Sequence, residues 1–378
     1  MSAPYVKGLE GVIAAESRIC FIDGDLGELR YRGYAIQDLA EHSTFSESAY
    51  LLLYGKLPTQ AELNAFDAKL TAHRAIDDSI IAVLKGLPKD AHPMIALQTA
   101  LAAHGALAPL AAGHNEANFD RAIALIARTP TMVAAFQRIS EGKEPLAPRA
   151  DLGHGQNFLY MLSGNVPDEE TGKIFDVGLV LHMEHDLNAS TFAGRVVAGT
   201  LAPLDASVSA AVGALYGPLH GGANEAVLDQ IDSIESPEKA EEWVLTSLAN
   251  KTKIMGMGHR VYRAKDPRSF VFQGYLDRIA EKYGPNANYK KLLVIESTMR
   301  REMEAKGRKI YPNVDFFSGT LYQLMGIPTV LFTPIFAIAR MVGWTAHILE
   351  QWEDNRLFRP ESIYLGDKDV KWVPFSQR

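Results

Sequence analysis

The chain has 378 residues, of which 47% are hydrophobic and 22% charged, and its formal net charge is −7. A length beyond the ~250 to 300 residues at which a single core stops growing predicts two domains, or one large domain with a smaller lobe. The composition excludes a disordered or collagen-like chain, the negative charge argues against nucleic acid as a partner, and the single cysteine, Cys20, excludes an intrachain disulfide and a cysteine-rich metal centre.

Neither a targeting segment nor a membrane span is predicted. Met1 to Gly8 has no basic start followed by an apolar run, so we expect a cytoplasmic protein. The closest approach to a membrane span is Met94 to Gly113, but Gln98, His104 and Pro109 interrupt it. We interpret this stretch as a buried helix and its turn.

One β-hairpin is predicted near the N-terminus, because Ile19–Ile22 and Leu29–Tyr31 flank the turn-rich segment Asp23–Gly27. Helical spacing dominates the rest of the chain, and Gly or Pro lies near most of the boundaries. The predicted helical segments are Ile36–Leu53, Ala61–Ala72, Ile76–Leu87, Phe119–Arg128, Met132–Gly142, Lys173–His185, Ser190–Ala198, Ala223–Ile231, Leu292–Met303 and Ile335–Leu349. The fold class is therefore predicted to be all-α.

His220 is the first of two histidines in an unusual setting. Pro218, Gly221 and Gly222 predict a turn, and helical spacing begins directly after it, so the imidazole should lie by a helix N-terminus. A neutral ring at that place can donate a hydrogen bond to a developing oxyanion. A capping or turn histidine is the alternative interpretation.

His259 is the second, and the glycines of Gly256–Arg260 allow the backbone to approach a ligand closely. A cluster of basic residues continues downstream, namely Arg260, Arg263, Lys265 and Arg268. This positive charge indicates an anionic substrate. A solvated basic loop is the alternative.

Asp315 follows Pro312 and precedes two phenylalanines. An apolar setting of this kind raises the pKa of a carboxyl group and makes it a stronger base. An Asp that caps the N-terminus of a helix is an equally good interpretation of the local sequence.

Arg340 and Arg359 lie in the C-terminal region, and either could clamp a carboxylate in bidentate fashion. Each of them taken alone is more typical of a surface charge. The sequence therefore leaves their role open.

Two other classes of protein also remain open. A metal hydrolase could use His182, Glu184 and His185, although their spacing departs from the His-Glu-x-x-His pattern of a zinc helix. A non-enzymatic helical scaffold is the other alternative, but it gives no reason for glycine-flanked histidines and a basic cluster to occur together.

Three segments, in this order, resemble the citrate synthase family: Gly217–Asn224, Gly258–Arg268 and Pro312–Gly319. The likeness extends from about Gly8 to Pro360. It implies a large helical domain, residues 1–220 and 321–378, and a smaller helical domain, residues 221–320, that closes over the ligands. It also implies a homodimer in which Arg359 reaches into the active site of the second copy.

The resemblance implies an acyltransferase that makes citrate by acid–base chemistry, with no metal or cofactor and with the CoA thioester as a substrate. The residue matching Asp315 removes a proton from the acyl methyl group, while the residue matching His220 hydrogen-bonds the thioester oxygen. The residue matching His259 then donates to the carbonyl of oxaloacetate as the carbon–carbon bond forms, and water cleaves the thioester.

Binding residues are implied by the same resemblance. Oxaloacetate is expected to contact His185, Arg268, Arg340 and Arg359. CoA is expected to contact Lys253, Ile254, Met255, Gly256, Met257, Gly258 and Arg263, with Arg308 or Lys309 as a weaker match for a phosphate contact. Because closure expels water and protects the enolate, oxaloacetate is expected to bind first.

The preferred acyl chain stays open. The 2-methylcitrate synthases, which prefer propionyl-CoA, share the same catalytic residues, and one extra methylene changes discrimination by only ~1 to 3 kcal/mol. The chain lacks the extra N-terminal region of the larger members that NADH regulates, so we expect the smaller dimeric form.

Overall fold

A computed structural model describes residues 5–284 and 286–378 of the chain and, for residues 282 and 283, the backbone alone. A small antiparallel sheet comes first and helices follow it to near the C-terminus. The predicted all-α class is confirmed.

Within the described part of the chain the sheet has three strands, β1 Cys20–Asp23, β2 Glu28–Tyr31 and β3 Tyr34–Ala35. β1 and β2 pair antiparallel, with Cys20 opposite Tyr31. The Asp23 carboxylate shapes the turn between them by accepting hydrogen bonds from the backbone N–H groups of Asp25 and Leu26, at 3.0 and 2.8 Å. The predicted hairpin is confirmed, and the two-residue strand β3 adds to it.

The described residues form sixteen α-helices: α1 Ile36–His42, α2 Phe45–Tyr54, α3 Gln60–His73, α4 Asp78–Lys85, α5 Pro93–Leu107, α6 Glu116–Ser140, α7 His154–Ser163, α8 Glu169–His182, α9 Ala189–Ala198, α10 Leu204–Leu215, α11 Ala223–Asp232, α12 Ala240–Ala249, α13 Pro267–Tyr283, α14 Ala287–Glu304, α15 Val314–Leu324 and α16 Phe332–Glu353. The stretch predicted as a buried helix and its turn is α5, which starts with a proline at its first position.

Two helix predictions are wrong: one predicted helix is two helices in the structure, and two predicted helices are one. The segment Ile36–Leu53 is two helices, because Thr44 interrupts it and its side chain accepts a hydrogen bond from Glu47 N at 3.2 Å as the N-cap of α2. The segments Phe119–Arg128 and Met132–Gly142 are instead one helix, α6, which continues through Pro130. Most residues around Pro130 are buried, so packing against neighbouring helices outweighs the missing backbone donor.

Helix α16 is the central element of the core and packs against α2, α6, α8, α9 and α10. The segment Thr329–Glu353 is long and apolar enough to cross a membrane by length and composition, but 89% of its apolar window is buried inside the protein. The core helix of a folded protein meets the same criteria, and burial on all sides is what its continuous apolar sequence predicts. Arg340 and His347 are buried polar residues on this helix.

Helices α11 to α15 follow one another in the chain and pack together through the pairs α11–α15, α12–α14, α13–α15 and α14–α15. They fall within or close to residues 221–320, the segment expected to form a smaller domain. Contacts of α11 with α16 and of α13 with α1 and α8 join this group to the rest of the protein. The division of the chain into two domains at these residues remains a prediction.

Candidate active site

The structure brings the predicted site residues of α15, α16 and three connecting segments together. Arg340 of α16 influences the pKa values of His185, His220 and Asp315 through its charge. The rings of His185 and His259 lie 5.2 Å apart, edge to face. Each of these five residues comes from a different element or connection, so tertiary packing assembles the site.

His220 lies in the turn between α10 and α11, two residues before the N-cap of α11, Gly222. Its Nε2 lies 2.9 Å from Ser190 Oγ and accepts a hydrogen bond from Ser190 N at 3.3 Å. This arrangement favours the tautomer that carries the proton on Nδ1. Burial lowers the pKa of His220 to about 4, and the charge of Arg340 acts in the same direction. The ring is neutral, as predicted, but burial is the main cause and not the helix N-terminus.

His259 has its tautomer set by the backbone. The N–H groups of Val261 and Tyr262 donate to its Nδ1 at 3.0 and 3.2 Å. Nδ1 is therefore unprotonated and Nε2 carries the proton. Burial lowers the pKa of His259 to about 4, and the charge of Arg268 adds to this effect. The ring presents a neutral N–H donor.

Asp315 lies in the first turn of α15, where its side chain is buried and Oδ1 has no hydrogen-bond partner among the described residues. Burial raises the pKa of Asp315 to about 7, although Arg268 opposes this shift by its charge. The N-cap of α15 is Asn313, whose side chain accepts a hydrogen bond from Asp315 N at 3.0 Å. The interpretation of Asp315 as the helix cap is therefore wrong.

The loop Lys253–Gly258 contacts the segment that leads into α15, the helix that carries Asp315. Gly258 N donates to Tyr311 O at 2.8 Å, and Asn313 N donates to Gly256 O at 2.9 Å, so the loop pairs with the segment that leads into α15. Gly256 has a φ of 75°, and a Cβ there would come within 2.9 Å of Phe316. This close approach explains the glycine and places the predicted CoA loop against Phe316, the residue that follows the predicted base.

His185 lies after the end of α8, so the predicted helix Lys173–His185 is three residues too long. Its Nε2 is 3.2 Å from the Tyr262 hydroxyl, and its pKa is lowered well below the usual value by burial and then by the charge of Arg268. The imidazole is neutral. Tyr262 is a site residue that the sequence analysis missed, although it stands inside the Gly258–Arg268 motif.

Arg268 is buried in the first turn of α13. Asp266 holds it through two hydrogen bonds, from Nε at 3.0 Å and from Nη2 at 2.7 Å. Burial alone would lower the pKa of Arg268, but the charge and hydrogen bonds of Asp266 outweigh it and the pKa is raised. The guanidinium is therefore permanently charged in a site that the Asp266 carboxylate partly neutralises.

Arg340 is buried in α16, and part of its guanidinium has no hydrogen-bond partner among the described residues. Its Nε donates to His182 O at 2.8 Å, while Nη1 has no partner among the described residues. Burial lowers the pKa of Arg340 to about 10. A buried cationic N–H group without an acceptor is suited to a ligand carboxylate.

The remaining basic residues among the predicted binding residues are exposed. Arg359 is exposed on the segment after α16, and none of the described contacts of the buried site residues involves it. Arg263 donates its backbone N–H to Gly24 O at 2.8 Å, and its exposed side chain lies 3.5 Å from Asp25. Lys253, Arg308 and Lys309 are also exposed. Exposed basic side chains are compatible with a phosphate-bearing ligand at the surface.

The alternative metal site is not assembled. His182 Nδ1 donates to Gly178 O at 2.8 Å, His185 faces Tyr262, and Glu184 accepts a hydrogen bond from His347 at 3.0 Å. Residues 5–284 and 286–378 contain no group of three or more His, Cys, Asp or Glu side chains arranged to hold a metal ion. The geometry therefore gives the hydrolase interpretation no support.

Comparisons with known proteins find relatives along almost the whole chain. Residues 8–361 match the family model for the citrate synthase C-terminal domain. The chain is 48% identical to a citrate synthase of Deinococcus radiodurans, with 98% of each chain covered. It is 39% identical to a 2-methylcitrate synthase of Shewanella oneidensis, over 98% of this chain and 97% of that relative.

A similar structure has also been solved with ligands. The citrate synthase of Thermoplasma acidophilum, in a ternary complex with carboxymethyl coenzyme A and oxaloacetate, matches with a TM-score of 0.94 and 33% identity, and 100% of each chain is covered. The residues matched by the family model include every site residue described above.

Proposed function

Because the chain belongs to the citrate synthase family, we propose that it condenses acetyl-CoA with oxaloacetate and water to give citrate and free CoA. The observation that carries this proposal is the buried Asp315 carboxyl, whose pKa of about 7 suits a general base, together with His220 and His259, two neutral histidines that each keep an N–H group for a ligand.

In the first step Asp315 removes a proton from the methyl group of acetyl-CoA. The electron pair moves onto the thioester oxygen, and the His220 Nδ1–H group donates a hydrogen bond to that oxygen. A neutral donor in a dry site stabilises the enolate without an energetically costly separation of charge. The free Oδ1 of Asp315 is the atom that receives the proton.

In the second step the enolate carbon attacks the keto carbon of oxaloacetate. His259 Nε2–H donates to the carbonyl oxygen as negative charge develops there and transfers its proton, so that a hydroxyl group forms. Exchange with solvent then returns a proton to His259 and removes the proton that Asp315 took from the methyl group. Water then adds to the thioester carbonyl of the citryl-CoA, the carbon–sulfur bond breaks, and CoA leaves as the thiol. The products are citrate and CoA.

Oxaloacetate carries two carboxylates and a keto group, which suits two arginines and one neutral histidine. We propose that Arg340 Nη1 and Arg268 bind the carboxylates and that His185 assists. Arg359, which lies away from these buried residues, would complete the site from the second copy of a homodimer. Both the dimer and the residue roles belong to this proposal.

The proposed substrate order is supported by the burial of these groups. The His185–Tyr262 hydrogen bond joins the segment after α8 to the basic loop that precedes α13, and oxaloacetate bound beside these residues would add contacts that hold the two segments in place. We propose that oxaloacetate binds first and that acetyl-CoA then binds to the closed form. An acetyl-CoA affinity that is equal with and without oxaloacetate would contradict this order.

The alternative acyl substrate is propionyl-CoA, because a relative that is 39% identical is a 2-methylcitrate synthase. The test measures release of the CoA thiol from acetyl-CoA and, separately, from propionyl-CoA in the presence of oxaloacetate. Faster release from acetyl-CoA, lost in Asp315→Ala, supports the proposal; faster release from propionyl-CoA indicates a 2-methylcitrate synthase. No release from either substrate would overturn both.

A further inference from the structure

The indole N–H group of Trp344 makes a buried contact behind the proposed active site. Trp344 lies on α16, four residues after Arg340, so the two side chains leave the same face of the helix. Trp344 Nε1 donates to Ser190 Oγ at 3.1 Å, and both side chains are buried. Helix α16 therefore supplies Arg340 to the proposed oxaloacetate site and, one turn later, a contact that leads toward His220. The mechanism proposed above does not use Trp344.

Ser190 joins this contact to His220. It lies in the first turn of α9, where backbone N–H groups have no acceptor within the helix. Its N–H group donates to His220 Nε2 at 3.3 Å, and its Oγ lies 2.9 Å from the same atom. Two atoms of Ser190 therefore engage Nε2, which leaves the ring proton to Nδ1, the atom proposed to donate to the thioester oxygen.

The hydrogen-bonding groups around the Ser190 hydroxyl have different roles. An indole N–H group only donates, so Trp344 occupies a lone pair of Oγ. Asn188 Oδ1, 2.7 Å from Oγ, is an acceptor, because the Thr191 N–H group also donates to it at 3.1 Å. The hydroxyl proton is therefore directed to Asn188 Oδ1 or to His220 Nε2, while Trp344 supplies the donor on the other side of the oxygen.

We propose that Trp344 is a positioning residue for His220: its indole N–H group holds Ser190 Oγ beside Nε2, and Ser190 holds the imidazole with its proton on Nδ1. Without that donor a buried lone pair of Oγ loses its partner, and the serine side chain can turn to another staggered rotamer. His220 then keeps only the longer bond from Ser190 N, and the tautomer with the proton on Nε2 becomes populated. That tautomer has no Nδ1–H group for the thioester oxygen. The inference rests on the proposed function, because acetyl-CoA supplies that oxygen.

The main test is Trp344→Phe, which keeps an aromatic ring but removes the N–H donor. We expect kcat to fall about three- to tenfold, the range for one hydrogen bond between neutral groups. The KM for oxaloacetate should stay unchanged, because the described hydrogen bond of Trp344 involves none of the proposed oxaloacetate residues.

Nitrogen NMR of protein with isotope-labelled histidine reports the tautomer directly, because a ring nitrogen that carries a proton and one that does not give separate signals. The signals of His220 are identified by their absence in His220→Gln. We expect the Nδ1–H tautomer alone in the unmodified protein and a mixture of both tautomers in Trp344→Phe. A purely structural role of Trp344 would leave these signals in place.

Trp352→Phe is the matched control. Trp352 is another buried tryptophan of α16, and its Nε1 also donates to α9, to Ala198 O at 3.0 Å, at the opposite end of that helix from Ser190. We expect a similar loss of stability but the kcat and the His220 tautomer of the unmodified protein. Equal changes in the two variants, or an unchanged kcat and tautomer in Trp344→Phe, would overturn the inference.

Ser190→Ala covers the case in which Trp344→Phe does not fold, since it removes only one buried oxygen atom. Trp344 acts on His220 through that oxygen, so kcat should fall and the same mixture of tautomers should appear. An unchanged tautomer in a folded Ser190→Ala variant would overturn the inference. Thiol release by the unmodified enzyme is measured first, and its absence would count against the proposed function, whereas the tautomer measurements test the inference without turnover.

Discussion

At the scale of single residues, the protonation states of the site arise from different physical causes. The proton position on His259 is decided locally, because two backbone N–H groups from the next turn occupy Nδ1. His220 depends on a contact with Ser190, thirty positions away. Asp315 depends on burial, with no hydrogen-bond donor to stabilise the Oδ1 atom of its anion. The Asp315 carboxylate is therefore a stronger base, because burial and the missing hydrogen-bond donor leave its anion poorly stabilised.

The pH dependence of turnover should report the Asp315 carboxyl group. Its pKa is raised to about 7, so the basic form is lost as the pH falls through that value and kcat should decline on the acid side. His220 and His259, with pKa values lowered to about 4, stay neutral through this range. Rates of thiol release from about pH 5 to about pH 9 would measure the limb, and a plateau down to about pH 5 would contradict the assignment.

Asp315→Asn provides the companion measurement. The amide has nearly the size of the carboxyl group but cannot accept the proton, so kcat should fall by about 10²- to 10⁴-fold. Calorimetric titration should show that the variant still binds oxaloacetate, because Arg268, Arg340 and His185 are unchanged. Loss of oxaloacetate binding would indicate a collapsed site and not a missing base.

Tyr262→Phe tests the residue that the sequence analysis missed. Tyr262 is buried and neutral, because burial raises its pKa, and its hydroxyl group engages His185 Nε2 at 3.2 Å. Loss of a hydrogen bond between neutral groups costs ~0.5 to 1.5 kcal/mol, so the KM for oxaloacetate should rise up to about tenfold. The KM for acetyl-CoA at saturating oxaloacetate is the internal control. A change in that constant alone would refute the role in orienting His185.

At the scale of elements, the sequence predicts what is local and misses what is long-range. Glycine and proline correctly mark the turn at His220 and the hairpin at Asp23–Gly27, because backbone conformation at these residues has few alternatives. The course of α6 through Pro130 has no local signal, since burial by distant helices maintains it. The pairing of Gly256 with Asn313 across the chain is likewise invisible until the fold is known.

The candidate site residues His220, His259 and Asp315 were singled out from their local motifs, and His185 from the family resemblance, yet the surroundings of all four were not predicted. Asp315 was equally well explained as a helix cap, and the structure assigns that role to Asn313, two positions earlier. Motif spacing carries information about which residue types recur together, whereas burial and hydrogen-bond partners arise only when separate elements pack.

Gly256→Ala tests the element that joins the predicted CoA loop to the base. An added Cβ would meet Phe316 and Val227 at 2.9 Å, at a φ of 75° that side chains rarely adopt. We expect the unfolding free energy to fall by about 1 to 3 kcal/mol and the KM for acetyl-CoA to rise several-fold. The strained loop would also displace Asn313, which donates to Gly256 O.

Gly326→Ala is the matched control for this variant. Its φ is 73°, but no atom lies within 4 Å of the added Cβ, so it introduces strain without a clash. We expect a smaller loss of stability, measured by chemical denaturation, and an unchanged KM for acetyl-CoA. Equal effects of the two substitutions on KM would show that the contact with Phe316 is unimportant.

At the scale of the whole molecule, the site draws on widely separated parts of the chain. Arg340 comes from the central helix α16, His185 from the segment after α8, and Asp315 from α15. These residues are buried within one protomer, whereas Arg359 is exposed on the C-terminal segment. An exposed arginine can contribute to the active site of another copy of the chain if its segment extends into that copy. Complementation between two variants tests this arrangement.

The test mixes two inactive variants, Asp315→Ala and Arg359→Ala, by co-expression with different affinity tags. If Arg359 serves the second copy of a two-fold dimer, each mixed dimer contains one site with both residues intact and one site with neither. Random pairing then restores about a quarter of the activity of the unmodified enzyme, since about half of the dimers are mixed. If Arg359 serves its own protomer, every site in the mixture lacks one residue and activity stays at the level of the separate variants. Dimers purified through both tags should reach about half of the unmodified activity in the first case, and their inactivity would refute a site shared between two copies.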